Sequence, residues 1–110
     1  MLARRIGGYH RLVADLLDEA ALSEALRRLP AWSREGDTMV RTYQRRDWLD
    51  AIALLDKVAP EAERRNHHPD VSITGYRNIT FRLTTHSKGG ITDRDVDLAT
   101  WIEELAGPPS

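Results

Sequence analysis

Residues 70–86, DVSITGYRNITFRLTTH, decide the fold, because two strand-like runs follow one another there with a short connection between them. In the second run, Ile79, Phe81 and Leu83 alternate with polar side chains, so that one face of the strand is apolar and the other is polar. This alternation predicts a hairpin with one buried face. His86, at the end of the run, has the parity of the uncovered face.

The helix predicted before this hairpin begins at Asp47, which is a suitable N-cap. Its predicted buried stripe consists of Trp48, Ile52, Leu55, Ala59 and Ala62. Pro60 interrupts the pattern, so the helix either kinks there or has other bounds. We expect the helix to end near Asn66 or His67, because the proline after His68 disfavours the helical conformation at that residue.

Two further helices have clear ends in the sequence. The first begins at Asp18 and is closed by Pro30, with an apolar stripe of Leu22, Leu26 and Leu29. The last is capped by Thr92, with Asp95 three residues later in a variant of the capping box. Its buried stripe is predicted to be Leu98, Ile102 and Leu105, and Gly107 ends it.

An additional hairpin follows the first helix, where the turn composition Glu35-Gly36-Asp37 precedes the loosely alternating run TMVRTYQRR. The element order is therefore helix, strand, strand, helix, strand, strand, helix. This order predicts an α+β fold with a four-stranded, mostly antiparallel sheet and helices packed on one face.

Length and composition bound the class of protein. The 110 residues predict one domain, residues 17–110, preceded by a loosely attached extension, residues 1–16. A hydrophobic fraction of 41% and a charged fraction of 30% are typical of a folded cytoplasmic protein, and no apolar run is long enough for a membrane span. The absence of cysteine excludes disulfides and thiolate chemistry, and a net charge of -1 gives no indication of direct nucleic-acid binding.

Residues 66–70, NHHPD, place His67 and His68 side by side ahead of a proline. Glu63 lies four residues before His67, so on a helix the two side chains would share one face. Antiparallel pairing of the two strands that follow would bring His86 back beside both histidines. We therefore expect three imidazoles and a carboxylate to converge.

Three kinds of site fit this group. Three histidines can bind catalytic zinc, but adjacent side chains diverge and the usual helical spacing of four is absent, so we predict no metal. Several imidazoles in one pocket can supply both the acid and the base of one turnover. Alternatively, His67 and His68 only stabilise a helix C-terminus as cations. The addition of Glu63 and His86 favours proton transfer.

Three other side chains have simpler interpretations. Trp32 is typical of an aromatic in the core or in a pocket wall. Tyr76 is typical of a strand packing residue, since the pKa of a free tyrosine, near 10, is unsuited to acid catalysis. Asp95 is the second acid within reach of the histidines, although capping alone would also explain it.

Residues 63–95, ERRNHHPDVSITGYRNITFRLTTHSKGGITDRD, resemble the pterin-4a-carbinolamine dehydratases, also called 4a-hydroxytetrahydrobiopterin dehydratases. The family signature is an acid, His-His-Pro, an aromatic, a strand-ending histidine and an aspartate beyond a glycine-containing loop. The positions that match it are Glu63, His67, His68, Pro69, Tyr76, His86 and Asp95. The resemblance extends to LPAW at residues 29–32 and to the helix from Asp47, so it covers nearly everything after Leu17.

The resemblance implies a hydro-lyase that converts 4a-hydroxytetrahydropterin to quinonoid dihydropterin in tetrahydropterin recycling, without a metal or an organic cofactor. One histidine would protonate the departing 4a-hydroxyl and another would take the proton from N5. We predict that His68 and His86 are this pair, in either order. His67 would contact polar groups of the substrate, and Glu63 would orient His67. Asp95 would hold His86 or the pocket rim. The remaining supporting or substrate-binding positions are Trp32, Pro69 and Tyr76.

Some members of this family act as binding modules, so the alternative is a non-catalytic oligomeric accessory or dimerisation protein that binds another protein. An uncovered sheet edge predicts a homodimer or a homotetramer. Pro60 departs from the family's helix, which contributes to oligomer contacts in some members, so it leaves the choice open. Val71 stands where some members carry an aromatic, which would alter a pocket wall or an interface.

Overall fold

The computed structural model describes residues 15–107. The predicted extension, residues 1–16, therefore lies outside the described residues for most of its length, and so does His10. At its described end, Leu16 forms an isolated antiparallel bridge with Thr92. This bridge attaches the segment before the first helix to the segment before the last.

Residues 15–107 contain three α-helices, of which the second and third have the predicted N-terminal caps, Asp47 and Thr92, and the first is capped by Asp18. They are α1 (Glu19–Arg28), α2 (Trp48–Arg65) and α3 (Asp93–Ala106). The side chains of Asp18, Asp47 and Thr92 each accept a backbone N–H from the first turn that follows. These oxygens satisfy donors that have no partner inside the helix, so the local sequence is sufficient to fix where each helix begins.

Four strands form one sheet. They are β1 (Ser33–Glu35), β2 (Thr38–Gln44), β3 (Asp70–Thr74) and β4 (Asn78–Leu83). Their spatial order is β1-β2-β4-β3, and every neighbouring pair is antiparallel. The second strand of each hairpin is central and the first strand of each is at an edge. The predicted α+β class and the order α-β-β-α-β-β-α are confirmed.

The inner face of the sheet carries the core. The β2–β4 register sets Met39 opposite Leu83 and Tyr43 opposite Ile79, with Phe81 between the two β4 residues. All five are at most 4% exposed and belong to one cluster with apolar residues of the three helices. The alternation predicted for β4 is therefore confirmed. It forms because successive side chains of a strand point to opposite faces.

The outer face of the sheet is mostly polar, although the buried Val40 also lies on it, opposite Arg82. Thr42 pairs with Thr80, their hydroxyl oxygens are 2.7 Å apart, and Ser72 on β3 continues the row. Helices and sheet thus enclose the core on one side only, as predicted.

The buried face of α2 differs from the predicted stripe. The buried residues are Ala51, Leu54, Val58 and Ala62, whereas Trp48 is 49% exposed. The prediction was based on the largest apolar side chains of the helix. The face that packs on the core instead begins and ends with alanine, and Trp48, Ile52 and Leu55 lie beside that face. The stripe of α3 is confirmed at Leu98 and Ile102, and it is wrong at Leu105, which is 37% exposed.

Helix α2 continues through Pro60 without a break. The missing N–H deprives the carbonyl of Asp56 of its helical partner. Both residues lie on the exposed side of the helix, where water can bind that carbonyl. The helix ends at Arg65, as expected from the proline that follows His68.

Candidate functional site

A Schellman motif at the end of α2 sets the direction of both histidines. Asn66 adopts the left-handed conformation, with φ 52° and ψ 43°. Its N–H donates to the carbonyl of Glu63 at 3.0 Å, and the N–H of His67 donates to the carbonyl of Ala62 at 3.0 Å. The chain therefore leaves the helix axis just before His67, and the side chains of His67 and His68 separate.

The side chain of His67 is directed into the protein and binds Asp95. His67 Nε2 is 2.6 Å from Asp95 Oδ1, and the two residues are 7% and 0% exposed. Asp95 lies in the first turn of α3, so this contact joins the end of one helix to the beginning of another. The sequence identified both residues but did not pair them.

Asp95 has two further partners on its other oxygen. Its Oδ2 accepts the Thr92 N–H at 2.9 Å, which completes the capping box of α3, and it accepts the hydroxyl of Thr85 at 2.7 Å. The hydroxyl oxygens of Thr85 and Thr92 are 2.8 Å apart. All three residues are buried, so the network is isolated from solvent.

Glu63 binds His68 instead of His67. Glu63 Oε1 is 2.8 Å from His68 Nε2, and both side chains are well exposed. The expectation that Glu63 would share a helix face with His67 is wrong, because the helix ends before His67 and the left-handed Asn66 turns that residue inward. The pair at the surface is the acid and the second histidine.

His86 lies outside β4, in a short 3-10 helix, His86–Lys88, and it is exposed. Asp70 pairs with Arg82, so the ladder continued by two residues would set His68 across from the residue after Leu83. Within residues 15–107, no hydrogen bond or ion pair joins the His86 side chain to the other two histidines. Asp95 does not hold His86 directly; it holds the preceding residue, Thr85.

Trp32 lies away from the histidines. Its Nε1 donates to Glu103 Oε1 at 3.2 Å, and the hydroxyl of Tyr43 donates to the same oxygen at 2.6 Å. Burial, and then the hydrogen bond to the Glu103 carboxylate, raises the pKa of Tyr43 above its ordinary value. Glu103 is eight residues beyond Asp95, or roughly 12 Å along the helix at ~1.5 Å per residue. Trp32 thus anchors the far end of α3.

Tyr76 and Pro69 lie at opposite ends of β3, in positions that the sequence did not predict. Tyr76 occupies the turn between β3 and β4 with φ 59° and is 60% exposed, so the expectation of a strand packing residue is wrong. The length of β3 separates it from His68. Pro69 immediately precedes β3 and is half-buried.

A cavity of about 210 Å³ opens beside His67 and is lined by Arg65, His67, Arg94 and Asp97. Arg94 Nη2 donates to the carbonyls of Arg65 and Asn66, at 3.2 and 2.5 Å, so it reinforces the end of α2 from α3. Sequence reasoning missed Arg94 and Thr85. No local signal identifies either residue, because their partners come from other elements.

Within residues 15–107, no group of three or more histidine and acidic side chains is arranged to hold a metal ion. No helix in that part of the chain is both long and apolar enough to cross a bilayer.

The family described as Pterin 4 alpha carbinolamine dehydratase matches residues 15–105 of this chain. The chain belongs to this family. A relative from Nocardia farcinica that carries the family name is 50% identical over 95 residues, which cover 86% of this chain and 99% of the relative. A second, from Thermomicrobium roseum, is 44% identical over 90 residues, which cover 82% of this chain and 96% of the relative.

Two solved structures are similar to this family member. The crystal structure of a transcriptional coactivator/pterin dehydratase from Brucella melitensis has a TM-score of 0.79 and 29% identity, with 84% of this chain and all of that chain covered. A pterin dehydratase-like protein, identified as a RuBisCO assembly factor in the α-carboxysome, has a TM-score of 0.59 and 20% identity, with 72% and 93% covered. The second likeness concerns the fold alone.

Proposed function

We propose that the protein is a dehydratase that converts 4a-hydroxytetrahydropterin to quinonoid dihydropterin and water, in the recycling of tetrahydropterin. The observation that carries the proposal is the convergence of His67 and Thr85 on Asp95. This contact joins the segment that contains His68 to the loop that contains His86. Family membership supports the substrate class.

The reaction requires one acid and one base. Protonation of the 4a-hydroxyl allows the C4a–O bond to break with loss of water, and removal of the N5 proton leaves its electron pair to form the C4a=N5 double bond. Nothing is oxidised or reduced, so the step needs no redox cofactor, and the proposal assigns both proton transfers to imidazoles without a metal. Imidazole suits both transfers, because it gains and loses a proton near neutral pH.

His68 and His86 are assigned the two proton transfers because both are exposed, so a substrate can reach them. Glu63 orients His68 in this assignment, on the strength of their 2.8 Å contact. His67 and Asp95 are nearly enclosed, so their role is to hold the two segments of the site together and to present one edge of the His67 ring.

The assay generates 4a-hydroxytetrahydropterin in situ and follows quinonoid dihydropterin in metal-free buffer. Wild-type protein is expected to accelerate the reaction, and His68→Ala or His86→Ala is expected to remove on the order of 100-fold or more of that acceleration. The matched control is His10→Ala, at the histidine to which the proposal assigns no role. Equal rates with and without wild-type protein would contradict the proposal, and activity that returns only with zinc would favour a metal enzyme.

A second candidate function is that of an accessory protein that binds another protein. It is supported by the Brucella melitensis structure, which is described as both a coactivator and a pterin dehydratase. It is supported also by Trp48 and Leu49, which are 49% and 73% exposed on α2. An inactive wild-type protein that retains its fold would favour this function.

We also propose that the chain forms a homodimer or a homotetramer. The edge strands β1 and β3 and the exposed apolar residues of α2 support self-association. Sedimentation equilibrium would measure the mass, and a monomer at micromolar concentration would contradict the proposal. A cytoplasmic location, expected from the composition, stays a prediction that a fluorescent fusion would test.

A further inference from the structure

The positions of the protons in the buried network around Asp95 follow from its hydrogen bonds. Asp95 Oδ2 receives the Thr85 hydroxyl, so the single proton of that hydroxyl is used in this bond. The 2.8 Å contact between Thr85 and Thr92 must then be donated by Thr92. Thr92 can donate this bond, because its contact with the backbone N–H of Arg94 at 3.2 Å uses a lone pair of its oxygen and leaves the hydroxyl proton available. The hydroxyl protons therefore point from Thr92 to Thr85 to Asp95.

The same bonds make Asp95 Oδ2 an acceptor. Its Oδ2 accepts two hydrogen bonds, one from Thr85 and one from the Thr92 N–H, and Oδ1 has His67 Nε2 as its partner. The Thr85 hydroxyl and the Thr92 N–H both donate to Oδ2, so Asp95 serves the helix cap as an acceptor. A carboxylate can only accept hydrogen bonds, so with Asp95 in that role the proton of the 2.6 Å contact is on His67 Nε2. In the neutral imidazole the lone pair is then on Nδ1.

We propose that Thr85 is a positioning residue, which keeps Asp95 as an acceptor and thereby holds His67 with its proton on Nε2 and its lone pair on Nδ1. Thr85 also precedes His86, so the same hydroxyl fixes the backbone next to the loop histidine. The proposal rests on the proposed function only for its consequence in catalysis. The state of the His67 ring can be measured without any substrate.

The first experiment is long-range ¹H–¹⁵N NMR of the imidazole rings, at a pH where a titration in the same spectra shows His67 to be neutral. Wild-type protein is expected to give the Nε2–H tautomer alone. Thr85→Val keeps the shape of the side chain but removes the hydroxyl, so a mixture of the two tautomers is expected. Thr85→Ser, which keeps the hydroxyl and loses the methyl group, should restore the single form.

Several results would overturn the proposal. An Nδ1–H tautomer in the wild type would do so without any variant, even if Thr85→Val fails to fold. Identical tautomers in the wild type and Thr85→Val would show that the hydroxyl has no such effect. A mixture in both Thr85→Val and Thr85→Ser would assign the effect to packing of the methyl group.

The second experiment is kinetic. In Thr85→Val, kcat is expected to fall on the order of tenfold, the lower end of the loss found when a residue that orients a metal-bound histidine is removed. KM should change less than kcat, and Thr85→Ser should recover most of the rate. If the wild type has no dehydratase activity but the tautomers behave as expected, the proposed function fails and the positioning role stands. An active wild type whose kcat is the same in Thr85→Val would contradict the positioning role alone.

Discussion

His67 Nε2 and Asp95 Oδ1 are 2.6 Å apart, although 28 residues separate them in the chain. Asp95 also completes the capping box of α3 through its other oxygen. One carboxylate therefore stabilises the beginning of a helix and holds a histidine of the candidate site.

Asp95→Asn is expected to lower the free energy of unfolding by about 1–3 kcal/mol, the cost of a buried polar group left without its partner. An amide cannot accept on both atoms, so either His67 or the pair of donors on Oδ2 loses its acceptor. Urea denaturation followed by circular dichroism measures the change. The control is Asp97→Asn, which makes the same substitution at an exposed position of α3. Equal stabilities of the two variants would contradict the importance of the network.

Glu63→Gln is expected to leave stability within about 1 kcal/mol, because the Glu63–His68 pair is at the surface. Dehydratase activity should fall between roughly twofold and tenfold, a fraction of the ~100- to 10,000-fold contribution of a positioned acid or base. Steady-state rates would be compared with those of Asp56→Asn, an exposed acid of the same helix. An unchanged rate in Glu63→Gln would show that this carboxylate does not orient His68.

Asn66→Gly and Asn66→Val should distinguish two contributions to stability at the C-terminal cap of α2. One comes from the left-handed backbone conformation, and the other from the asparagine side chain. Asn66 has φ 52°, which glycine adopts freely and a β-branched residue does not. Valine is expected to cost about 1–2 kcal/mol or more, and glycine to change the free energy of unfolding much less. Thermal unfolding measures both. Similar melting temperatures for the two variants would mean that the left-handed turn is not required.

Tyr43→Phe is expected to change the alkaline limit of stability. Burial and the hydrogen bond to Glu103 raise the pKa of Tyr43 in the folded protein above the usual 10.0. Above about pH 10 the unfolded chain therefore releases a proton that the folded chain keeps, and the free energy of unfolding falls as the pH rises. Phenylalanine abolishes this contribution.

The measurement compares denaturant midpoints of wild type, Tyr43→Phe and Tyr76→Phe from neutral pH to about pH 11. Tyr76 is the control because it is 60% exposed in a turn. The decline with pH should be shallower in Tyr43→Phe alone. If Tyr43→Phe declines as steeply as the other two proteins, the buried phenol does not contribute.

The parts of the fold that were predictable are those encoded over a few neighbouring residues. The cap at Thr92, the alternation of Ile79 with Phe81 and the end of α2 before His67 each depend on local geometry. The buried face of α2 was not predictable in this way, because the choice between two adjacent stripes is made by the sheet that covers one of them. Small residues such as Ala51 gave no sign that they were the buried ones.

The candidate site was predictable as a set of residue types but not as a set of contacts. The exchange of partners, with Glu63 on His68 and His67 on Asp95, follows from the single left-handed residue between the helix and the histidines. Thr85 could not be identified from the sequence for a different reason. A single threonine forms no recognisable sequence pattern, and its hydroxyl contacts Asp95 only when α3 is packed beside the loop.

The two oxygens of Asp95 have a consequence for comparing relatives. A descendant that no longer needed His67 would still need an acceptor to begin α3, so natural selection would preserve the aspartate for the helix alone. The retention of this aspartate is therefore weak evidence for dehydratase activity in such a descendant. The presence of a histidine at the position of His67, which the helix cap does not require, is the more informative sign.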